Sequence, residues 1–270
     1  KFVLKNGVTV LVRPSFETPV LSVRCASLGG SRLETEKNQG ATELLSRVWT
    51  AGTETMTEAE LNHRVDEMAA SLSAFGGRNS EGLSMSCLKP FSEDMLDLFF
   101  DVLCRPAFEK SAITREIKSM QESVRLRKDN PAQLCVLQYM KAMFGNHPYG
   151  RDPYGEEKTI GQLTRDHVHS IFAQKSGLTI IAAGAIEPKE FKARVEKGLG
   201  HLKPGPHQIQ RETIKYPSAD LKEFTESTKE QSHILFGFPG LEINDPHRYT
   251  LQVMQAILAG QGGRLFVELR

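Results

Sequence analysis

Two periods divide the chain. In residues 19–28, Leu21, Val23 and Cys25 alternate with other side chains at a period of two, the pattern of a strand with one buried face. Before it, Phe2-Val3-Leu4-Lys5, then Asn6-Gly7, then the return from Val8 to Val12 predict a hairpin, because Asn-Gly accepts the positive φ angles of a type I′ turn. Gly29-Gly30-Ser31 ends the second run. From Gly40 the period lengthens, and Ala41, Leu44, Leu45, Val48 and Trp49 recur at helical spacing until Gly52. Thr57 with Glu60 makes a capping box for a helix carrying Leu61, Val65 and Met68. Residues 71–75 and 83–88 read as an antiparallel strand pair around a turn containing Gly76, Gly77 and Asn79.

Helical spacing returns at Ser92 with the stripe Met95, Leu96, Phe99, Val102 and Leu103, and Pro106 stops it. A long charged helix over about 111–129 follows, expected to be solvated and braced by i,i+4 ion pairs. Pro131 opens another through Leu134, Leu137 and Met140. His147-Pro148-Tyr149-Gly150 begins a loop reaching about Thr159, Thr164 caps a short helix, 178–183 is a buried strand and 187–199 a helix. Lys203-Pro204-Gly205-Pro206 looks like a linker. A second start then reads as a strand over 231–238 and a helix from Pro246 with Tyr249, Val253, Ile257 and Leu258. Residues 260–263 break that helix, and Leu265, Phe266 and Leu269 begin a further apolar face that is still running at Arg270. Strands and helices fall in segregated groups, which predicts an α+β fold with a mainly antiparallel sheet and helices on one face. The expected division is a domain over 1–203, a linker over 204–220 and the truncated beginning of another domain over 221–270.

Composition narrows the function classes. Apolar residues are 39% of the 270, enough for real cores. Lys plus Arg number 34 against 33 Asp plus Glu, so no basic excess exists to release counterions from a nucleic acid. No run approaches 18 apolar residues, so no membrane span is expected, and no charged-then-apolar leader is visible. Cys25, Cys87, Cys104 and Cys135 lack CxxC spacing and read as separate thiols.

Several candidate chemistries fail on spacing. His167 and His169 are two apart on a helix and point away from one another. Gly260-Gln261-Gly262-Gly263 follows no strand and lacks the Lys-Ser/Thr of a phosphate cradle. No Ser nucleophile elbow is present.

The helix Gly40-Ala41-Thr42-Glu43-Leu44-Leu45-Ser46-Arg47-Val48-Trp49-Thr50-Ala51-Gly52-Thr53 resembles the signature helix of the M16 metallopeptidases, the insulinase, pitrilysin and mitochondrial-processing-peptidase family, which reads G-x-x-H-x-x-E-H-x-x-x-x-G-T. The resemblance runs in order through the Asn-Gly hairpin, Gly29-Gly30-Ser31-Arg32-Leu33-Glu34, Asp129-Asn130-Pro131 and His147-Pro148-Tyr149-Gly150. It continues into Phe236-Gly237-Phe238-Pro239-Gly240 and Gly262-Gly263-Arg264-Leu265-Phe266. It implies the two-layer α+β architecture of the LuxS/MPP-like metallohydrolases, with the start of a second, homologous domain.

The family's chemistry uses two His at i and i+4 and a distant Glu as zinc ligands, with a Glu that activates water. Read in register, those positions hold Glu43 and Arg47, with Ser123 as third ligand and Ser46 as base. A guanidinium stays protonated and has no lone pair, so Arg47 repels a dication. The neighbouring Glu122 points about 100° away around its helix. Glu43 and Arg47 stand in the favourable order for an ion pair.

No catalytic residue, metal or cofactor is therefore expected in this chain, and zinc only in a partner. The resemblance implies a zinc-less half or subunit that pairs with a homologous zinc-bearing M16 domain or subunit around a peptide substrate. In that family the zinc-less half contributes an Arg to the substrate, and Arg270 matches it. Two alternatives are a purely structural M16-like subunit, as in respiratory complexes, and an active peptidase improvised from Glu43, Glu122 and His147.

Overall fold

The computed structural model describes residues 1–174, 176–202, 213–226 and 230–269. Its first unit, Lys1–His233, is built on a six-stranded sheet ordered β1-β2-β6-β3-β5-β4. The strands are β1 (Phe2–Val3), β2 (Thr9–Pro14), β3 (Val20–Leu28), β4 (Ser71–Gly76), β5 (Ser80–Leu88) and β6 (Ser176–Gly184). The hairpin forms around Gly7, whose φ of 90° the Asn-Gly signal predicts. β2 and β6 run parallel, and every other neighbouring pair is antiparallel. The strands of residues 71–88 are longer than the alternation suggests, because Gly76 pairs with Glu81 and extends the ladder to the turn.

The helices of this unit are α1 (Ala41–Val48), α2 (Glu58–Glu67), α3 (Ser92–Cys104), α4 (Lys110–Arg127), α5 (Pro131–Phe144), α6 (Glu157–Ile160), α7 (Arg165–Gln174) and α8 (Pro188–Leu199). One face of the sheet carries the core: Leu21, Val23 and Cys25 of β3, Leu83, Met85 and Cys87 of β5, and Ile180 and Ala182 of β6. Against it pack Leu44, Leu45 and Val48 of α1, Trp49, and Met95, Phe99 and Val102 of α3. The opposite face stays polar, with Ser22 bonded to Ser86 at 3.2 Å and Ser73 to Ser84 at 2.9 Å. Each large apolar side chain buried here contributes about 1.5–3 kcal/mol. Trp49 is fully buried and donates its indole N–H to the Val102 carbonyl at 3.1 Å, which joins α1's C-terminus to α3. No disulfide joins the four cysteines among the described residues.

The second unit, Ile234–Arg270, holds α9 (Arg248–Leu258) and α10 (Arg264–Leu269). Tyr249, Val253 and Ile257 share one exposed stripe of α9.

Three expectations need correction. Residues 231–238 form no strand, and Phe236 and Phe238 are 84% and 82% exposed. A strand needs a neighbour to take its backbone N–H and C=O groups, and among the described residues only 2–184 supply strands. The loop after His147 contains α6, four residues long and too short to show a period. The charged helix α4 has no i,i+4 ion pair among the described residues. Besides Arg115 to Glu116 and Arg125 to Glu122 on the helix itself, its cations reach other segments, Arg115 to Glu58, Arg125 and the C-capping Lys128 to Glu157, and Arg127 to Asp152.

Candidate functional site

α1 begins at Gly40, whose φ of 91° is left-handed and where a Cβ would lie 2.7 Å from the Tyr154 carbonyl oxygen. A glycine has no side chain to cap the helix, and Glu34 supplies the cap from outside. Its carboxylate, on a residue 4% exposed, accepts the N–H of Gly40 at 3.0 Å and of Thr42 at 2.7 Å. Burial pushes the Glu34 carboxyl above its ordinary range, opposed by those N–H bonds and by the Arg151 guanidinium. Arg151 also donates to the Glu34 backbone carbonyl. The order from the Gly-Gly segment to α1 is thus fixed by one buried acid.

With Leu44, Leu45 and Val48 turned into the core, Glu43, Ser46 and Arg47 share the other side of α1. Arg47 Nε donates to Glu43 Oε1 at 2.8 Å. Its Nη1 reaches Ser119 Oγ at 3.4 Å and lies 3.8 Å from Glu116 Oε2, both on α4. Glu116 accepts from Arg115 Nε at 3.0 Å, and the Arg115 guanidinium forks onto Glu58 of α2 at 2.9 and 3.0 Å. A chain of alternating charges therefore runs Glu43–Arg47–Glu116–Arg115–Glu58 across three helices. Ser46 Oγ donates to the Glu43 carbonyl at 2.8 Å, and Ser123 Oγ to the Ser119 carbonyl at 2.9 Å.

Zinc does not fit these residues. Where a second imidazole would stand is a cation, Glu43 is bonded to it, and both serine hydroxyls serve their own helices. The improvised set does not assemble either. Glu122 lies 3.9 Å from Arg125 and is exposed, while His147 Nδ1 accepts the Tyr149 N–H at 3.2 Å within its own turn. Among the described residues no group of three or more His, Cys, Asp or Glu is arranged to hold a metal ion. Arg270 lies outside the described residues.

Beside Glu43 is a cavity of about 160 Å³, lined by Thr42, Glu43, Gly76, Gly77, Arg78 and Tyr154 among others. It sits at the end of β4, which is an edge strand. β4 approaches α1 closely because Gly76 has no Cβ, which would meet the Thr42 carbonyl oxygen at 2.7 Å. Arg78 donates to the carbonyls of Tyr149 at 2.9 Å and Arg151 at 3.3 Å, fixing the outer wall. A larger opening of about 350 Å³ between α3 and α8 has its acids already taken, Asp97 by Arg194 and Asp101 by Arg105. The smaller cavity is the one that joins an open strand edge to the α1 site.

Sequence reasoning missed Glu34 as the cap of α1 and Glu116 as the second acid on Arg47. An available signal was Glu34's place six residues before a helix that starts on glycine. Glu116 had none, because its partner is 69 positions away and on another helix.

The insulinase (peptidase family M16) model matches residues 17–157, and the peptidase M16 inactive-domain model matches residues 162–270. The chain is 25% identical over its whole length to the uncharacterized zinc protease YmxG of Bacillus subtilis, of which it spans 66%. It is 24% identical to mitochondrial-processing peptidase subunit alpha of Solanum tuberosum, covering 96% of this chain and 51% of that one. The crystal structure of a peptidase M16 inactive domain from Pseudomonas fluorescens matches all of the chain, and 66% of its own, with a TM-score of 0.86 at 22% identity.

Proposed function

This chain belongs to the insulinase (M16) peptidase family, and we propose that it is a zinc-less half or subunit that pairs with a zinc-bearing M16 partner and helps to bind peptide. The observation that carries this reading is the Arg47 guanidinium held between Glu43 and Glu116 where the family's metal chemistry would need lone pairs. The match to the inactive-domain model and the likeness to a processing-peptidase subunit support pairing as the role. In this scaffold an extended peptide can add main-chain hydrogen bonds to a sheet edge without demanding a sequence. With no zinc beside it, the edge strand β4 is free, covered or used for the partner's contacts, and the peptide contact falls to Arg270.

The domain reading belongs with this proposal. Residues 1–203 form the M16-like domain, 204–220 the linker and 221–270 the beginning of a homologous one. In its support, the six strands all lie within residues 2–184 and α8 ends at Leu199.

The test is co-expression with an M16 protein that carries an intact HxxEH helix, followed by co-purification and a peptidase assay on the pair. Co-purification with turnover above that of the partner alone supports the proposal. A stable pair without any gain in turnover or peptide binding would make the chain a structural subunit. No association would overturn both readings.

A further inference from the structure

The only charged residues in the six strands are Arg13 of β2, Arg24 of β3 and Glu81 of β5. Glu81 is on the core side and 2% exposed. Arg24 stands level with Ile181 of β6 and Ser84 of β5, and Arg13 with Ala183 of β6. Because side chains alternate along each strand, both arginines lie on the face opposite the core. No strand places an Asp or Glu on that face. It is open to solvent at its centre, where Arg13, Ser22, Arg24, Ile181 and Ala183 are all exposed.

Arg24 is held in place there. Gly82 pairs with Phe75 across β5 and β4, and a Cβ on it would lie 2.9 Å from Phe75 Cζ, so the ring rests over β5. The Arg24 guanidinium stacks on that ring, 4.1 Å from its centroid. Stacking orients its plane but takes none of its N–H donors, and neither Arg24 nor Arg13 has a hydrogen bond or ion pair among the described residues. Around Arg24 the serine hydroxyls are spent on each other, Ser22 on Ser86 and Ser73 on Ser84, so the floor is flat.

Between the two arginine strands runs β6, whose Ile181 is 42% exposed. A strand spacing of about 4.8 Å and a rise of about 3.4 Å per residue set the two arginine positions about 12 Å apart, diagonally across β6. Four residues of extended chain span about 13 Å, so acids at i and i+4 with an apolar residue at i+2 share one face and match this pattern. A basic segment would meet two cations with no acid to offset them. Two cations beside an exposed isoleucine are also too few for a nucleic acid, which needs a series of phosphate contacts, and the chain carries no basic excess.

We propose that this open face of the sheet, centred on Arg24, Ile181 and Arg13, docks an acidic extended segment of a partner polypeptide. Arg24 presents its fork to one carboxylate, Arg13 takes the other, and Ile181 covers the apolar side chain between them. The surface lies on the opposite side of the sheet from α1, so it goes beyond the pairing proposed above and stands apart from it.

The probe is a fluorescein-labelled peptide containing Glu-Thr-Val-Thr-Glu, with Lys-Thr-Val-Thr-Lys as its counterpart. Each is titrated into the full chain and read by anisotropy and by backbone amide shifts. The acidic peptide should bind at least about tenfold more tightly than the basic one, more weakly as salt rises from about 50 to 300 mM, with shifts centred on Ser22, Ile181 and Ala183. Arg24→Gln and Arg13→Gln, both at solvent-facing positions, should each weaken it about fivefold. Equal binding of the two peptides by the wild type, or no binding of the acidic one up to about 1 mM, overturns the proposal without any variant. Acidic-peptide binding indifferent to both substitutions overturns it too, as does an oligothymidine that shifts the same amides at lower concentration.

Discussion

Arg47 donates to Glu43 across one turn of α1 at 2.8 Å and leans 3.8 Å from Glu116 on α4. One guanidinium thus joins two helices through two acids that would otherwise face each other. Both ends of the Arg47–Glu43 pair are partly shielded, with side chains 25% and 19% exposed, so the pair is worth more than a surface contact.

Arg47→Ala should destabilise the chain by on the order of 1 kcal/mol, a fall of about 2–4 °C in Tm. A double-mutant cycle with Glu43→Ala, read by urea unfolding, isolates the pair. A coupling of zero would mean that the two side chains hold nothing together.

Wild-type chain dialysed against zinc should retain none at the Glu43, Ser46 and Arg47 positions. The triple change Glu43→His, Ser46→Glu and Arg47→His should still give no peptidase, because the resemblance puts the third ligand position at Ser123. Ser123 sits one turn from Ser119, which Arg47 already reaches, so adding Ser123→Glu completes the set. Elemental analysis and a fluorogenic peptide check both steps. Stoichiometric zinc with activity from the triple change would show that another residue serves as third ligand.

Much of this was legible in the sequence. Period-two alternation found β3, Asn-Gly found the first hairpin and Thr57 with Glu60 found the start of α2, because each is written in neighbouring residues. The resemblance located α1 and its altered positions. What escaped was long-range. A strand over 231–238 depends on a partner that the local pattern does not specify, and the Glu34 cap and the Glu116 contact depend on tertiary placement. The α4 charges looked like an exposed self-braced face, yet Arg127 and Asp152 meet half-buried, 25 residues apart.

Glu34→Ala removes the acceptor for two α1 N–H groups and should cost about 1–3 kcal/mol. Glu34→Gln should cost less, and its deficit should shrink with pH. The folded carboxyl is raised above 4.5, so the wild type's advantage is full below that value and declines as pH climbs. Chemical denaturation of both chains at a series of pH values reads the difference. A deficit that widens with pH would reverse the sign argued for this acid.

Gly76→Val should be among the costliest substitutions of an edge residue. The added Cβ would meet the Thr42 carbonyl oxygen at 2.7 Å and the Thr42 Cγ2 at 3.0 Å, forcing β4 away from α1. A loss of about 2 kcal/mol is expected, against a smaller one for Gly77→Ala, whose Cβ meets only the Ser80 carbonyl oxygen at 3.3 Å. Thermal melts rank the two. Equal losses would mean that β4 does not bear on α1.

The last prediction separates the two places where this chain could touch a peptide. If it acts as the zinc-less half, the family resemblance assigns contact to Arg270, whose guanidinium would hold a peptide carbonyl or carboxylate. A charge-assisted bond of that kind is worth about 1.5–3 kcal/mol when desolvated. In a reconstituted pair with a zinc-bearing partner, Arg270→Ala should therefore lower peptide turnover at least about tenfold. Glu43→Ala should leave it nearly unchanged, because that carboxylate is spent on Arg47. Steady-state turnover of the pair, with complex formation confirmed by size-exclusion chromatography, checks both arms. The opposite pattern, a loss at Glu43 and none at Arg270, would make α1 the working site.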